Sequence, residues 1–506
     1  MKRRTVLRAG LGAAAVASYP AWRYYRGSKS RLASINAVTS LGTEVTVDAS
    51  MLSELATSIR GTLLFRDIDG YDLARRIRNR TIDKYPALIA QCTSAADVIE
   101  VVSFGNHFQL LTAIKCGGHN IAGNGTCEGG LLIDLSPMRG ATVNPELRVA
   151  SVLGGSLLAE LDEKSQTHGL VTTAGTVSHT GVGGLTLGGG LGRLARRYGL
   201  TIDNLLAVDI VTPDGELRRA SAEEHQDLYW AVRGGGGNFG VVTAFEFQLH
   251  ALDRQVVGGE IRYPFEKARE VMSFYAEFCQ DMPDDLYVDL TIFAPPFGLD
   301  SAFYLDVCYS GLISDADRVL EPLRRVAKPI KDEIKAIDYA VLQKDSDDSD
   351  PRGRGQHLKS GFVRTIEPAL IDTLIENLES NILRGSMAFF QQTGGAINRI
   401  ATESTAFSHR YASHNLTIGA VWPHGLDPEP HAVWADSYWE QVKGFTDGFY
   451  TNDAYGKDPA QLQANYLTNL GRLVDIKTKY DPSNLFQINT NIKPRPIYQS
   501  AAPRKA

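Results

Sequence analysis

The sequence predicts a two-domain protein of the α+β class. Three observations indicate this class. Short strand and helix patterns alternate in the first half, the glycines cluster between residues 117 and 240, and the pattern changes near residue 253. Beyond that point glycine thins out while strands and helices continue, which favours a mainly antiparallel second sheet. A chain of 506 residues with 43% hydrophobic residues can bury more than one core.

The first thirty residues predict an export signal. A basic start containing Arg3 and Arg4 precedes a short run of small apolar residues from Ala9 to Ala17. This order is typical of a twin-arginine signal, and the run is too short for a comfortable membrane span. We therefore expect a periplasmic or secreted protein, with an uncleaved N-terminal anchor as the alternative.

Charge and cysteine usage exclude other classes. The net charge is −6 and the pI is about 6.0, so the chain offers no basic surface for nucleic acid. Five cysteines without paired spacing argue against a zinc cluster, and no metal site is predicted. Cys116 and Cys127 could form a disulfide, but burial as small residues beside a glycine loop is favoured.

The first domain is predicted to span residues 81–252. Residues 31–80 are polar and mixed, and they end in the basic stretch RRIRNR at 75–80, interpreted as a solvated face or entry segment. Ser94 and Asp97 offer a cap for the first helix. Further elements follow, with glycine-rich loops between them: strands 110–115 and 131–136, helix 157–168, strands within 205–221, helix 222–233 and strand 239–250.

The second domain is predicted to span residues 253–455. Strand patterns alternate there with helix patterns, and a polar surface loop is predicted at 344–356. The predicted elements are strands 256–263, 285–293, 301–310, 387–396 and 415–422 and helices 265–280, 314–327 and 430–445. A last helix, 467–479, ends before Pro482, because proline cannot continue a helix.

Familiar catalytic and nucleotide-binding motifs are absent or misplaced. The spacing GxGxxG occurs at Gly235, Gly237 and Gly240, but it follows a predicted helix and opens a strand. A dinucleotide fingerprint needs the order strand, loop, helix, so this match is rejected. The chain also lacks GxxxxGK[ST], HExxH and GxSxG.

Three glycine-rich loops remain, at 117–130, 181–192 and 234–240. Backbone N–H groups without crowding side chains can hold a pyrophosphate, so three such loops in one domain predict an extended ligand. His119 lies in the first loop. By itself it could be a metal ligand in a hydrolase, a catalytic base, a core residue or a group bonded to a cofactor.

The loops also resemble a known family. CGGHNIAGNGTCEGGLLIDLSPM, AGTVSHTGVGGLTLGGGLGRLARRYGLTIDNL and DLYWAVRGGGGNFGVVTAFEF are similar to the three flavin loops of the berberine-bridge-enzyme-like FAD-linked oxidases. RLVDIKTKYDPSNLFQINTNIKP resembles the closing segment of that family, and GGAINRIATESTAFSHR resembles a motif of its bacterial members. The matches run from about 81 to 494. They imply the PCMH-type FAD-binding fold of the vanillyl-alcohol-oxidase group, with residues 456–494 returning to the FAD domain.

The resemblance implies that FAD is attached covalently through His119. Some relatives carry a second link from a cysteine, but Val177 stands at the matching position, so a single link is expected. Noncovalent FAD beside a hydrogen-bonded His119 is the alternative. Thr490 departs from a glutamine that many relatives have. The residues implied to contact the cofactor are Lys115, Cys116, Gly117, Gly118, Asn120, Gly123, Thr176, Gly181, Gly184, Gly188, Gly189, Asn238, Val242, Asn489 and Asn491.

The same resemblance implies oxidation of an alcohol, sugar or amine by hydride transfer to the flavin, with oxygen as acceptor and hydrogen peroxide as product. Tyr450, in Tyr450-Thr451-Asn452, is the candidate catalytic base or positioning residue, and it would need a cationic or hydrogen-bonding neighbour. A packed aromatic is the alternative for this residue. Candidate substrate residues are Gln391, Gln392, His409 and Arg410, with bracing of the flavin domain as the alternative for His409 and Arg410. The rival functions are a dehydrogenase with another acceptor and a catalytically silent FAD protein.

Overall fold

The computed structural model describes residues 32–294, 301–347, 353–381, 383, 385–453 and 459–496. The predicted twin-arginine signal and residues 348–352 of the predicted polar loop lie outside these ranges. The strands are β1 (Ile35–Val38), β2 (Glu44–Val47), β3 (Thr62–Leu64), β4 (Leu88–Gln91), β5 (Thr112–Lys115), β6 (Leu131–Asp134), β7 (Ala141–Asn144), β8 (Val149–Leu153), β9 (Leu170–Val171), β10 (Leu205–Val211), β11 (Leu217–Ser221), β12 (Val241–Gln248), β13 (His250–Ala251), β14 (Gln255–Tyr263), β15 (Leu286–Ala294), β16 (Ala302–Tyr309), β17 (Lys331–Asp332), β18 (Lys335–Asp338), β19 (Gly355–Val363), β20 (Ser386–Gln392) and β21 (His414–Trp422).

The α-helices cover these sheets and connect them. They are α1 (Ala49–Ser58), α2 (Tyr71–Arg75), α3 (Ala95–His107), α4 (Leu158–Gln166), α5 (Val182–Gly188), α6 (Ala195–Tyr198), α7 (Gln226–Val232), α8 (Ala268–Phe278), α9 (Ala316–Arg325), α10 (Tyr339–Leu342), α11 (Pro368–Ser380), α12 (Glu429–Val442), α13 (Pro459–Tyr466) and α14 (Leu470–Tyr480). Among the described residues, no helix is both long and apolar enough to cross a membrane.

A four-stranded sheet positions the first glycine loop. Its order is β3-β4-β6-β5, and β4 and β5 both run parallel to β6. The buried strands are short apolar runs, as expected where both faces of a parallel sheet are covered. Helix α3 begins after Ser94, whose hydroxyl accepts from the Asp97 N–H at 3.3 Å, so the predicted cap is confirmed. The first glycine loop leaves this sheet at the end of β5.

A five-stranded sheet carries the other two loops. Its order is β11-β10-β12-β8-β7, with antiparallel neighbours. The chain enters β12 directly from the third glycine loop, which follows α7, so the order helix, loop, strand expected at Gly235–Gly240 is confirmed. Helix α14 packs Leu473 and Ile476 into the same core as Phe245 and Phe247. The end of the chain therefore contacts the sheet that carries the cofactor loops.

A large antiparallel sheet forms the second half of the molecule. Its order is β17-β14-β16-β15-β20-β21-β19, with β18 also paired to β14. Helices α8, α9, α11 and α12 bury apolar residues against one face, including Met272, Leu320, Leu370 and Tyr438. The opposite face looks toward the glycine loops and is more polar. The predicted α+β fold with an antiparallel second sheet is confirmed.

Several predicted element boundaries are wrong. The segments 265–267, 313–315, 443–445 and 467–469 are 3-10 turns that overlap an end of a predicted helix. The helix predicted at 222–233 begins only at Gln226, because His225 has a left-handed backbone with φ of 45°. The second glycine segment was predicted as a loop, but α5 forms inside it.

The basic stretch at 75–80, predicted as a solvated face or entry segment, is solvated only in part. Arg76 is exposed, whereas Arg75 is 5% exposed and Asn79 is 2% exposed. The Arg75 guanidinium bonds Asp72 and Asp83, and the Asn79 amide donates to the carbonyls of Ile121 and Gln356. Because these side chains are hydrogen-bonded, part of a polar segment can be buried between the first glycine loop and the large sheet.

The hairpin β7–β8, strand β19 and helix α11 were not predicted from the sequence.

Candidate active site and cofactor cavity

One cavity of roughly 650 Å³ extends from the glycine loops to the polar face of the large sheet. All three glycine-rich loops contribute to its lining. Of the predicted site residues, those that line it are Lys115, Cys116, Gly117, Gly118, His119, Asn120, Thr176, Gly181, Gly184, Gly188, Asn238, Val242, Gln391, Tyr450 and Asn489. The size is typical of a cavity for a small-molecule ligand or cofactor.

The first two loops contact each other through glycines. A Cβ on Gly117 would lie 2.3 Å from the Gly181 nitrogen, and one on Gly181 would lie 2.5 Å from the Cys116 sulfur. Gly118 has a positive φ of 70°, which side chains rarely adopt, and its carbonyl accepts from the Arg78 N–H at 2.9 Å. The two loops can approach this closely only because positions 117 and 181 are both glycine.

His119 is bonded to a second histidine. Its Nε2 lies 2.6 Å from Nδ1 of His179, and its Nδ1 lies 3.3 Å from the Thr180 hydroxyl. A hydrogen bond between the two rings requires one nitrogen to carry the proton and the other to accept it. The pair therefore couples the tautomers of the two histidines and orients the His119 ring at the cavity wall.

Lys115 and Cys116 precede the first glycine loop, and their side chains bond groups outside that loop. The Lys115 ammonium lies 3.4 Å from the carboxylate of Asp134, a residue with no exposed surface, and donates to the Ala74 carbonyl. Cys116 donates to the Ser156 carbonyl at 3.4 Å, and burial raises the pKa of its thiol to about 11. All five cysteines are free, so the alternative of a Cys116–Cys127 disulfide is not realised. A thiol that stays protonated is a weak nucleophile.

Tyr450 and Asn452 contact the end of α5. The phenol oxygen of Tyr450 accepts from the N–H of Gly190 at 3.0 Å and from the side-chain amide of Asn452 at 2.9 Å. The Asn452 amide also donates to the Leu185 carbonyl, and a Cβ on Gly188 would lie 2.2 Å from its side chain. This contact explains why glycine is required at 188.

The hydrogen bonds that Tyr450 accepts favour its ionised form, but burial outweighs them. Desolvation, together with the charge of Asp453, raises the pKa of Tyr450 to about 12. Among the described residues, no acceptor takes the hydroxyl proton. Tyr450 is therefore a protonated phenol at neutral pH, with its O–H available to a bound ligand.

Hydrogen bonds connect the third glycine loop to residues 490–492. The Asn238 amide donates to the carbonyls of Gly235 and Thr490, and its oxygen accepts from the Ile492 N–H at 3.0 Å. Nearby, the buried Lys477 ammonium bonds the carboxylate of Asp481 at 2.6 Å and the carbonyl of Asn238 at 2.7 Å. These bonds place Asn489 and Thr490 at the cavity.

The cavity has the features expected of a bound cofactor. A Cβ added to Gly184 or Gly237 would meet nothing within 4 Å, although both residues line the cavity. The side-chain oxygens of Asn489 and Thr490 are buried and have no partner among the described residues. Buried polar atoms are almost always bonded, so a ligand with donor groups fits this wall.

The face of the large sheet that borders the cavity carries a row of carboxylates. In the strand register Asp306 stands opposite both Glu260 and Asp289. The Arg193 guanidinium bonds Asp306 at 2.6 Å. Burial raises the pKa of Asp306, which the charge of Arg193 opposes, and burial raises the pKa of Asp289 well above the ordinary value. Like charges on adjacent strands are unfavourable unless one is neutralised, which agrees with these shifts.

The three comparisons with known proteins agree with one another. The family model described as FAD binding domain matches residues 86–221, and the model described as berberine and berberine like matches residues 460–493. An FAD-linked oxidoreductase of Dictyostelium discoideum is 29% identical over 449 residues, covering 88% of this chain and 97% of that protein. (R)-6-hydroxynicotine oxidase of Paenarthrobacter nicotinovorans is 28% identical over 468 residues, covering 88% and 99%.

Two solved oxidase structures have the same fold as this chain. The 6-hydroxy-D-nicotine oxidase of Arthrobacter nicotinovorans superposes with a TM-score of 0.78 at 25% identity, covering 86% of this chain and 98% of that one. A glucooligosaccharide oxidase of Acremonium strictum with 6-S-cysteinyl, 8α-N1-histidyl FAD has the same fold, with a TM-score of 0.78 at 23% identity and coverages of 88% and 99%.

The chain carries an FAD binding domain and a berberine-like segment, and over most of its length it is similar to FAD-linked oxidoreductases. It is an FAD-dependent enzyme, and the glycine-lined part of the cavity is the part that fits FAD. Among the described residues, no group of three or more histidine, cysteine or acidic side chains is arranged to hold a metal ion.

Three residues predicted to face the substrate do not line the cavity of this oxidoreductase. Gln391 points into it, but side chains alternate along β20, so Gln392 points away and bonds the Val288 N–H at 3.0 Å. Arg410 forms a buried ion pair with Asp203 at 2.7 Å. His409 stacks on Phe362 with ring centroids 4.3 Å apart, behind Tyr450. The prediction for Gln392 is corrected, and the ion pair of Arg410 agrees with the alternative that His409 and Arg410 brace the flavin domain.

Three residues predicted to bind the cofactor also lie off the lining. Gly123 faces the side chain of Ile82, and Gly189 faces the ring of Phe407. Both have positive φ, so glycine is needed there for the turn of the backbone. Asn491 is not a lining residue, although its side-chain oxygen is buried without a bonding partner in the described structure.

Several polar lining residues were not predicted from the sequence. They are Arg78, Glu260, Asp289, Asp306, Arg354, Gln356 and Asp453. The contact between His119 and His179 was not predicted either. One signal was available for two of them. Asp289 and Asp306 are isolated carboxylates inside otherwise apolar strands, and such residues are seldom buried without a partner or a function. Arg78 and Arg354 lie far apart in the chain, and only tertiary packing brings both to the cavity wall.

Proposed function

We propose that this FAD-dependent oxidoreductase oxidises a hydroxyl or amine group of a small polar molecule, with FAD covalently attached through His119 and oxygen as electron acceptor. One observation carries the proposal. A single cavity joins the glycine loops and His119 to a sheet face that bears Asp289, Asp306 and Thr291 beside aromatic rings. Carboxylates and hydroxyls can bond the O–H and N–H groups of such a substrate.

The names of the relatives support the substrate class. They include a hydroxynicotine oxidase, which has an amine substrate, and xylo-, chito- and glucooligosaccharide oxidases. In this chain Phe293, Tyr304 and Phe389 line the cavity near the carboxylates. Aromatic faces beside carboxylates suit both sugar rings and protonated amines. FAD, when bound, supplies the two-electron acceptor for the substrate C–H bond.

The His119–His179 contact supports the covalent link. When His119 donates its Nε2 proton to His179, Nδ1 carries no proton, and its lone pair, 3.3 Å from the Thr180 hydroxyl, can act as the nucleophile. The glucooligosaccharide oxidase carries an 8α-N1-histidyl FAD, attached through the corresponding type of nitrogen. Val177 lines the cavity where a second, cysteinyl link would arise, so we propose a single attachment.

The covalent link is tested by acid precipitation of the purified protein. Flavin absorbance should stay in the pellet for the wild-type protein and should pass into the supernatant for His119→Ala. Val177→Ala is the matched control and should keep flavin in the pellet. Release of all flavin from the wild-type protein would contradict the covalent attachment.

The reaction is tested by anaerobic reduction of the bound flavin. Xylobiose, a chitooligosaccharide, a glucooligosaccharide and 6-hydroxynicotine are mixed separately with the oxidised enzyme, and the loss of the visible flavin band is recorded. At least one compound should bleach the flavin, and admission of air should restore the band with formation of hydrogen peroxide. Bleaching without reoxidation by air would contradict oxygen as the acceptor, and no bleaching would contradict the substrate class.

We also propose that the N-terminal segment exports the folded, flavin-containing protein. The support is the sequence order of Arg3, Arg4 and the apolar run, which lies outside the described residues. Replacement of both arginines by lysine should retain the protein inside the cell. Fractionation with a flavin readout measures this, and unchanged export of the double variant would contradict a twin-arginine signal.

A further inference from the structure

A carboxylate lies beside Tyr450 at the cavity wall. Asp453 lines the cavity, and its Oδ2 accepts from the Asn415 amide at 3.2 Å and from the Thr417 hydroxyl at 3.3 Å. Its N–H donates to the Tyr450 carbonyl at 3.0 Å, which fixes the turn. Both side-chain bonds fall on Oδ2, so in the described structure Oδ1 carries no hydrogen bond. The second oxygen is available to a ligand.

Tyr450 is poorly suited to accept a proton. Its oxygen already accepts from the N–H groups of Gly190 and Leu191 and from Asn452, and its proton is still present at neutral pH. A phenol in this state can donate a hydrogen bond to a substrate oxygen or nitrogen and hold it in place. Removal of the substrate proton then requires a different group.

We infer that Asp453 is the catalytic base of the oxidation and that Tyr450 positions the substrate, an assignment that rests on the proposed function. The O–H or N–H bond of the substrate breaks, its proton bonds Oδ1 of Asp453, and its electron pair forms the new C=O or C=N bond. The adjacent C–H bond would break at the same time, and bound oxidised FAD would supply the acceptor for its hydrogen and two electrons. The carboxyl group afterwards loses its proton to solvent.

The charges around Asp453 agree with this role. Burial raises the pKa of Asp453 to about 6, opposed by the hydrogen bonds from Asn415 and Thr417 and by the charge of Arg78. Tyr450 is the other titratable group beside it and stays neutral in this pH range. The carboxylate form therefore dominates above pH 6, and its basicity is closer to neutral pH than that of an ordinary aspartate. Such a pKa suits a general base.

The assignment is tested by the pH dependence of flavin reduction. The rate of anaerobic reduction by the compound that bleaches the wild-type enzyme is measured from pH 5 to 10. For the wild type the rate should rise with pH and level off above about pH 6. For Asp453→Asn it should fall by about 10²- to 10⁴-fold and lose this rise. Asp453→Glu, which keeps the carboxylate, should restore part of the rate together with an acid limb.

Tyr450→Phe is the comparison that separates the two residues. It should weaken substrate binding while the acid limb stays in place. An acid limb that persists in Asp453→Asn would overturn the assignment. So would a wild-type rate that rises only above pH 9 and loses that rise in Tyr450→Phe. Retained flavin in the pellet after acid precipitation shows that each variant has folded around its cofactor.

A measurement without substrate separates this inference from the proposed function. Infrared difference spectra of the flavin-containing protein are recorded between pH 4.5 and 8, and the Asp453→Asn spectrum is subtracted from the wild-type spectrum. A protonated-carboxyl band that disappears near pH 6 is expected. Its absence would overturn the assignment even if the enzyme is active. If the band is present but no compound reduces the flavin, the proposed function is contradicted, and Asp453 then has no substrate proton to accept.

Discussion

At the residue scale, two side chains at the cavity depend on a neighbour for their chemistry. His119 has an ordinary imidazole, and the contact of its Nε2 with His179 couples its tautomer to that of its neighbour. Asp453 has an ordinary carboxyl, and burial decides that it holds its proton to a higher pH than an exposed aspartate does. The residue type permits the chemistry in each case, and the surroundings select it.

Replacement of His179 should slow the attachment of FAD. In His179→Phe the His119 ring loses its 2.6 Å partner, so the tautomer with the proton on Nε2 and none on Nδ1 loses the acceptor that favours it. We expect the covalent fraction to fall severalfold, measured as flavin in the acid pellet relative to protein. His168→Phe, at an exposed position, is the control and should keep the wild-type fraction. An unchanged fraction in His179→Phe would show that this pair does not assist attachment.

Asp453→Asn should stabilise the protein at high pH. The pKa of Asp453 is raised in the folded state, so its contribution to stability is present below about pH 4 and is lost as the pH rises through about 6. An asparagine resembles the protonated carboxyl and avoids this loss. The melting temperature of the variant should exceed that of the wild type by about 2 °C at pH 8 and match it near pH 4. A variant that is less stable at pH 8 would contradict the raised pKa.

At the element scale, the glycine loops act as contacts between elements as well as cofactor ligands. Gly117 and Gly181 bring the loop after β5 against the start of α5, and Gly188 brings the end of α5 against Asn452. Each contact leaves less room than a methyl group needs. The three loops therefore meet around one cavity because three backbone approaches are possible at once.

Gly181→Ala should separate the first two loops. The new Cβ would lie 2.4 Å from the Gly117 nitrogen, which is backbone and cannot rotate away. We expect a large loss of bound flavin, measured as the ratio of visible to 280 nm absorbance. Gly471→Ala in α14 meets nothing within 4 Å and serves as control; it should keep its flavin and gain up to about 1 kcal/mol from helix propensity. Full flavin content in Gly181→Ala would refute the role of this contact.

At the scale of the whole molecule, buried polar groups join the cofactor loops to the large sheet. Arg193 follows α5, is 2% exposed, and bonds Asp306 of β16 and the side chain of Gln343. Arg410 joins Asp203 in the same way, with both side chains nearly inaccessible. A buried ion pair stabilises the fold little by itself, but removal of one partner leaves an uncompensated charge. These pairs fix how the sheet face meets the flavin loops.

Arg193→Met and Asp306→Asn should be coupled. We expect Arg193→Met to reduce the free energy of unfolding by about 3 kcal/mol, because Asp306, whose side chain is only 16% exposed, loses its cation. Adding Asp306→Asn should recover part of that loss, and the double-mutant cycle should give a coupling of about 1–3 kcal/mol. Urea denaturation measures all three variants. Additive effects would mean that the two side chains do not interact energetically.

The sequence predicted the parts of this protein that local pattern determines. The glycine loops, the histidine in the first loop and the strands with alternating or apolar runs are visible in single segments, and the family resemblance rests on those same segments. The α+β class and the antiparallel second sheet followed from them. Glycine and proline constrain the backbone directly, so these elements could be inferred before any long-range contact was known.

Only the tertiary structure decided which side chains meet at the cavity. His119 and His179 are separated by sixty residues in the chain, Arg193 and Asp306 by 113, and neither contact has a local signature. The burial of Arg75, the outward direction of Gln392 and the position of Asp453 beside Tyr450 also depend on strand register and packing. A strand register that shifts by one residue turns every side chain to the other face, and the sequence of one strand does not fix its partner. The chain alone therefore determined the cofactor loops, and the packing of the large sheet determined the chemistry in front of them.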